Sequence, residues 1–343
     1  MKTILPYLCL FMTVAHLTCY GQPPQDTRWN ITPDQGIAWQ VKENDTHFDH
    51  IEMSGLYLSS IVHYGVDQGT IKQKVHLVFP MLRTIPNDTH ASLSHDIDYH
   101  ELDPIKINGV PAVETPKQFG IKGVLAIRSV ANEGIEISHQ LFPSTNQAVF
   151  IDQIQVHNPT NQEVSIDIPK IEWSHTTAAD QGVYGAYTIQ VRSDRHGKFT
   201  LKPNETLDYA LIYSGKMASE ALPYVASNYE LNRRNKLVHE TFSNLVLESP
   251  DEVINREFAF AKLRAVESIF YTKGGLMHAP GGDSYYAAIW ANDQAEYANP
   301  FFPFQGNLEA NESAINSFRH FARYMNPDYR PIPSSIIAEG TDF

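Results

Sequence analysis

The chain has 343 residues, of which 42% are hydrophobic and 11% aromatic, with a formal charge of −13 and an isoelectric point near 5.5. This composition supports a large packed core and excludes a disordered chain. An acidic surface repels phosphate backbones, so no nucleic acid is expected as a partner, and strongly anionic polysaccharides are disfavoured.

In chain order, residues 1–21 read as a signal peptide. Lys2 gives a positive start, Ile4 to Leu17 is largely apolar, and Cys19-Tyr20-Gly21 suits cleavage before Gln22; a lipid anchor on Cys19 is the alternative, for which His16-Leu17-Thr18 is a poor lead-in. The stretch is shorter than the ~20 residues a membrane span needs, so no membrane insertion is expected. The protein is expected to be exported, to the periplasm or the exterior. Both cysteines, Cys9 and Cys19, lie in this leader, so the mature chain is expected to use no disulfide. Sequons begin at Asn30, Asn44, Asn87, Asn204 and Asn311 and matter only in a host that glycosylates its secreted proteins.

Residues 22–215 read as one β domain, in which apolar side chains recur with a period of two from about Ile37 to Ser214. Leu56 to Val66, Val75 to Phe79, Val124 to Val130 and Ile135 to Leu141 are rich in strand formers, and Val164-Ser165-Ile166-Asp167-Ile168 alternates cleanly. Asn108-Gly109, Asn132-Glu133-Gly134, Asn158-Pro159-Thr160-Asn161 and Lys202-Pro203-Asn204-Glu205 supply turns between them. Many short strands at such spacing predict an antiparallel β-sandwich. Strands do not alternate with helices, which argues against a doubly wound nucleotide-binding sheet.

The period changes after Met217. Residues 216–248 read as a helical linker, and residues 249–343 as successive helices. Ser249-Pro250-Asp251-Glu252 predicts a helix start capped by Ser249. Ile254, Phe258, Ala261, Ala265, Ser268 and Ile269 then recur at helical spacing up to a stop near Gly274-Gly275. A second helix is expected from Trp290. A third runs from Leu308 to Met325, with Ile315, Phe318, Phe321, Ala322 and Met325 as its buried stripe. The chain ends, after the loop Pro331 to Ser335, at the approach to a fourth.

The segment from His278 to Tyr297 concentrates carboxylates, amides and aromatic rings, including Asp283, Trp290, Asn292, Asp293, Glu296 and Tyr297. Sugars ask for this mixture, because hydroxyls pair with carboxylates and amides while C–H faces lie on aromatic rings. Trp290, Asp293 and Tyr297, spaced by three and four, would share one helical face. These six residues are the candidate sugar contacts. Each also has a plainer reading: Trp290 as core, Asp293 as a charge at a helix start, Glu296 as a solvated acid. His278 reads as structural. The 15 histidines show no metal-ligand spacing, and Gly281-Gly282-Asp283 lacks the Lys-Ser/Thr ending of a phosphate loop. No metal and no cofactor are expected.

This arrangement resembles the six-hairpin glycosidases, whose (α/α)6 barrel often follows a β-supersandwich. The resemblance rests on the order of sandwich, linker helices and α-hairpins, on turns such as Leu201-Lys-Pro-Asn-Glu-Thr206, and on the Trp290-x-x-Asp293 element after a glycine-rich loop. Related barrels commonly carry Arg before that Asp, where this chain has Asn292, so the exact family stays open. The resemblance implies that Asp293 holds hydroxyls of the sugar in the central subsite. It also implies that the loop carrying Glu339, Gly340, Thr341 and Asp342 returns to the pocket side. Glu339 is therefore the candidate catalytic residue, with a solvated surface acid as the plainer reading.

The implied function is glycoside hydrolysis of an oligo- or polysaccharide with inversion, which needs an acid and a base flanking the scissile bond. Twelve helices with their connections need at least about 200 residues. The stretch from Pro250 to Phe343 is shorter, so the sequence predicts an incomplete toroid, an N-terminal fragment without a complete active site, and an apolar patch at Phe301, Phe302 and Phe304. Two alternatives remain: a noncatalytic carbohydrate-binding protein, and a polysaccharide lyase, whose usual order of toroid before sandwich is reversed here.

Overall fold

The computed structural model describes residues 27–279 and 287–341. The expected signal peptide, Asp283 and Asp342 lie outside the described residues. Two antiparallel sheets face each other across one core. The larger has nine strands among the described residues, in the spatial order Trp29–Ile31, Ile37–Gln40, Thr115–Ile121, Leu125–Val130, Glu136–Pro143, Val149–His157, Thr206–Met217, Tyr187–Ser193 and Glu172–Thr176. The facing sheet is a meander of His47–Gly55, Leu58–Asp67, Thr70–Arg83 and Ser92–Asp98. Trp39, Phe119, Ile127, Ile154 and Tyr213 of the first sheet pack with Val62, Val75, Leu77 and Phe79 of the second in a single cluster. Alternation decides which side chains take part, as in Val164–Ile168, where Val164, Ile166 and Ile168 are buried and the residues between are not. Asn108 and Gly109, both at positive φ, form the two-residue turn their types favour. Leu56, expected inside a strand, sits instead in the turn between two strands.

Between the sheets lies a buried charge network. His139, fully buried, places Nδ1 3.0 Å from Asp152 Oδ2 and Nε2 3.1 Å from Glu114 Oε2. Tyr99 donates to Glu114 at 3.1 Å, and Gln73 of the facing sheet donates to Asp152 at 3.4 Å. Burial alone would lower the imidazole pKa, but the two carboxylates outweigh it and hold His139 well above 6.5. Burial pushes Glu114 upward, yet the His139 charge and its hydrogen bonds bring it below 4.5.

Helix α1 (Ser227–Ser243) and helix α2 (Glu252–Glu267) follow the sandwich. The fully buried Arg234 of α1 docks them. Its Nε donates to Gly123 O at 2.7 Å and its Nη1 to Ser54 O at 2.9 Å, one carbonyl at each of the two sheets. Its Nη2 pairs with Glu267 at the end of α2, which also takes Arg264 at 2.5 Å.

Helix α2 departs from expectation at both ends. Asp251, not Ser249, caps it, accepting from the amides of Val253 and Ile254. It ends at Glu267 rather than near Gly274, because Ile269–Thr272 and Gly275–His278 form a hairpin whose turn uses the two glycines. β-branched and aromatic residues, Ile269, Phe270, Tyr271 and Thr272, favour that strand over another helical turn. The expected stripe is only partly buried: Ile254 is half exposed, while Leu263 and Val266 face the interior.

Helix α3 (Ala291–Asp293), a π-helical turn over Gln294–Ala298, and helix α4 (Asn299–Gln305) form one continuous helical run. Gly306 at positive φ and the Asn307 cap turn the chain into helix α5 (Leu308–Ala322). Most of the expected α5 stripe faces outward, with Ile315, Phe318 and Met325 largely exposed, while Phe321 packs against Met277, Ile289 and Ile336. The buried face is Ala310, Ser313, Ala314, Ser317 and His320. Small residues win there because the helix approaches the Gly275–His278 strand closely, and Asn316 Nδ2 reaches the carbonyls of Gly274 and Leu276 at 2.8 and 2.9 Å. The phenylalanine patch divides: Phe302 is fully buried, Phe301 partly, and Phe304 is exposed. Among the described residues no helix is long and apolar enough to cross a membrane.

The buried network fixes a pH dependence. Folded His139 holds its proton more tightly than the unfolded chain, so its pairing stabilises fully below about pH 6.5 and fades as pH rises through the raised folded value. Glu114 works in the opposite sense, stabilising above about pH 4.5 and losing this as pH falls through its lowered value. The melting temperature is therefore expected to drop on the alkaline side of pH 6.5. In His139→Gln that slope should vanish, with a loss of about 3–5 kcal/mol in chemical denaturation from leaving buried carboxylates unpaired.

Candidate functional site

The candidate residues gather around a two-stranded ribbon. Ala288–Trp290 pairs antiparallel with Ser335–Ile337, with Trp290 opposite Ser335 and Ala288 opposite Ile337. Glu339 follows two residues later. Gly340, at φ +80°, closes a tight turn in which the amide of Ile337 meets Thr341 O at 3.0 Å. Trp290 and Glu339 thus belong to opposite ends of one ribbon, Trp290 opposite Ser335 and Glu339 in the turn after Ile337.

Trp290 is extended, at φ −115° and ψ 136°, and precedes α3. It does not share the helical face expected for it, because strand pairing claims its backbone. Asp293 and Tyr297 do meet: the Tyr297 hydroxyl bonds to Asp293, and burial, then the Asp293 charge, push the phenol up to about 12. Asn292 and Glu296 are exposed on the same run. Asp283 lies outside the described residues. Below Tyr297 lies His278, 4% exposed, its ring 5.9 Å from the tyrosine ring. Gln294 donates to His278 O at 2.8 Å and its Nε2 lies 3.3 Å from Nδ1. Burial lowers the imidazole to about 4, so His278 is a neutral support. These two rings, with Glu52, Arg264 and Ser268, line a cavity of about 300 Å³.

Glu339 is held by the sandwich. Its Oε1 accepts from the Tyr184 hydroxyl at 2.5 Å and from Arg83 Nε at 3.3 Å. Arg83 ends the strand Thr70–Arg83; its side chain is fully buried and its Nη2 donates to Asp88 O at 2.7 Å. Its own carbonyl accepts from Tyr187 Oη at 2.6 Å, which locks the loop that carries Tyr184. Burial lowers the guanidinium pKa, and Glu339 opposes that shift. Burial first, and then the bond to Glu339, raise the Tyr184 phenol. Lys273 Nζ sits 3.2 Å from the Tyr184 ring centroid, a cation–π contact.

Close backbone approach makes this cluster possible. Gly274 donates to Ala338 O at 2.9 Å, and its Cα lies against Gly340. A Cβ on Gly274 would meet Gly340 Cα at 3.1 Å and Met277 Cε at 2.2 Å. Arg323 then donates to Gly340 O at 2.6 Å and fixes the turn from the far side.

Sequence reasoning missed Arg83, Tyr184 and Lys273. They stand up to 256 positions from Glu339 in the chain, and nothing in a strand end or a lysine turn signals such a partner. Among the described residues no group of three or more His, Cys, Asp or Glu side chains is placed to hold a metal ion.

Chemically, an ionised carboxylate only accepts. With two donors on Oε1, the remaining capacity of Glu339 lies on Oε2, which is itself buried and has no hydrogen-bond partner among the described residues. Removing the charge in Glu339→Gln leaves a buried guanidinium unpaired. The expected cost is about 2 kcal/mol, below the full buried-pair range because the carboxylate is partly exposed. Tyr184→Phe is expected to cost about 1 kcal/mol. Urea denaturation of both variants checks the order.

No family model matches the sequence, and no curated protein matches it. Solved structures do. A structure described as "Putative kojibiose phosphorylase from human microbiome" is 10% identical, with a TM-score of 0.52, over 92% of this chain and 53% of that one. A bacterial glucoamylase complexed with acarbose is 11% identical, with a TM-score of 0.37, over 90% of this chain and 56% of that one. The chain spans about half the length of these structures. The resemblance to the six-hairpin glycosidases therefore holds for the fold: a supersandwich-like antiparallel β domain followed by helices of an α/α toroid.

Proposed function

We propose that this chain is the sandwich-bearing front portion of an exported carbohydrate-active enzyme, an inverting glycoside hydrolase. Trp290, Asn292, Asp293, Glu296, Tyr297 and Asp283 would contact the sugar, and Glu339 would take part in the chemistry. The observation that carries this reading is the composite setting of Glu339. A carboxylate on the toroid side is positioned by an arginine and a tyrosine from the sandwich, in a fold shared with a structure described as a phosphorylase of a disaccharide.

In this reading Glu339 acts as base or hydroxyl acceptor. Water attacks the anomeric carbon as the glycosidic C–O bond breaks; Glu339 takes the water proton, and a separate acid protonates the leaving oxygen. Trp290 offers a face for the C–H side of a pyranose ring, and Asp293, oriented by the Tyr297 hydroxyl, accepts sugar hydroxyls.

The test is a screen of neutral disaccharides and oligosaccharides with product analysis, on the full natural protein. A new reducing end of inverted configuration supports hydrolysis with inversion, whereas an unsaturated, ultraviolet-absorbing product identifies a lyase and overturns it. Trp290→Ala and Asp293→Asn are each expected to weaken sugar binding at least about tenfold. Binding without turnover in the intact protein would leave a noncatalytic carbohydrate-binding protein as the function.

A further inference from the structure

A larger groove lies away from the ribbon. Helix α1, the start of α5 and two turns of the sandwich enclose a cavity of about 540 Å³. A second of about 360 Å³ adjoins it, and the two share Leu237, Glu240, Val266, Asn307 and Glu309. Neither includes Trp290, Asp293, Tyr297 or Glu339. The size falls within the range of small-ligand sites. We propose that this groove is an accessory binding site for a neutral oligosaccharide.

Charge selects the ligand class. Four charged side chains on the walls are available to a ligand: Arg233 and Lys236 from α1, and Glu240 and Glu309. Glu267 also lines the groove but is consumed by Arg234 and Arg264. Two positive and two negative groups cancel, and Lys236 already leans towards Glu240 at 3.7 Å. A phosphorylated ligand or a uronate would meet as many like charges as opposite ones. A neutral ligand with many hydroxyls uses both signs, donating to the carboxylates and accepting from the cations.

Three further features fit a sugar chain. Tyr229 is 59% exposed at the mouth, and the Arg233 guanidinium lies 5.9 Å from its ring centroid, so the ring is a braced platform for a pyranose C–H face. Asn307 commits Oδ1 to the Ala310 amide at 2.8 Å, which leaves its Nδ2 group as a donor. Gln305 is 3% exposed and lines the second cavity. It donates through Nε2 to Lys262 O at 3.1 Å, while its Oε1 has no partner among the described residues. A buried carbonyl oxygen without a partner is unfavourable, and a hydroxyl donor from a ligand satisfies it. The apolar floor, Leu237 and Val266, keeps the groove from being purely a water site.

The groove is read by hydrogen exchange and calorimetry on the full chain. The probes are maltohexaose, cellohexaose and xylohexaose, with hexagalacturonate as the charged control. At least one neutral hexasaccharide is expected to slow exchange in residues 227–243 and 305–310. Tyr229→Ala, at an exposed position that leaves the fold intact, is expected to weaken that ligand about tenfold, and Glu309→Gln several-fold. In Trp290→Ala the protection of residues 227–243 should persist, which separates failure of this site from failure of the ribbon. The proposal is overturned if no neutral probe protects these segments, if hexagalacturonate binds them as tightly, or if Tyr229→Ala changes the affinity less than about twofold.

Discussion

The guanidinium of Arg234 is the contact on which the arrangement of the two parts depends. A fully buried arginine must satisfy its donors and its charge at once. Here the donors go to Ser54 O, where one sheet ends, and to Gly123 O in a turn of the other, while the charge goes to Glu267 at the end of α2. One side chain thus ties both sheets to α1 and α2. Apolar packing of Val238, Phe242 and Leu263 surrounds it, but packing is non-directional. The ionic contacts set the orientation, and therefore the direction in which α2 delivers the hairpin Ile269–His278.

That orientation brings the Gly274 turn against Gly340, and so brings Glu339 to Arg83 and Tyr184. The cluster is composite by construction: the carboxylate comes from one part and its two donors from the other. A carboxylate placed this way is held rigidly by donors from the other part of the chain. The same docking opens the groove between α1 and α5, because the two helices converge on Val266 without filling the space over it. Both candidate sites are consequences of how the helices sit on the sandwich.

Several expectations failed for a shared reason. The stripe assigned to α5 used mainly large apolar residues as the guide to the inner face. In α5 the inner face is Ala310, Ser313, Ala314 and Ser317, since close approach to a strand admits only small side chains. Ile315 and Phe318 are left outside. The helix expected to run to Gly274 ends early because Ile269 to Thr272 gain a strand partner in Gly275–His278. Trp290 leaves its helical face because the partner strand Ser335–Ile337 pairs with it. In each case pairing or packing with another segment overrode helical periodicity.

What the sequence determined by itself was whatever depends on local chemistry. Alternation in Val164–Ile168, the Asn108-Gly109 turn and the change of period after Met217 specify a sandwich followed by helices, because strand pleating and helical pitch write their repeat directly into the order of residues. The Asp293–Tyr297 pair, four residues apart, was legible for the same reason. Tertiary structure alone decided that Glu339 pairs with Arg83, that His139 is charged between Glu114 and Asp152, and which face of α5 is buried. Those outcomes depend on the approach of segments tens to hundreds of residues apart, and on desolvation that exists only once they have met, so no local pattern encodes them.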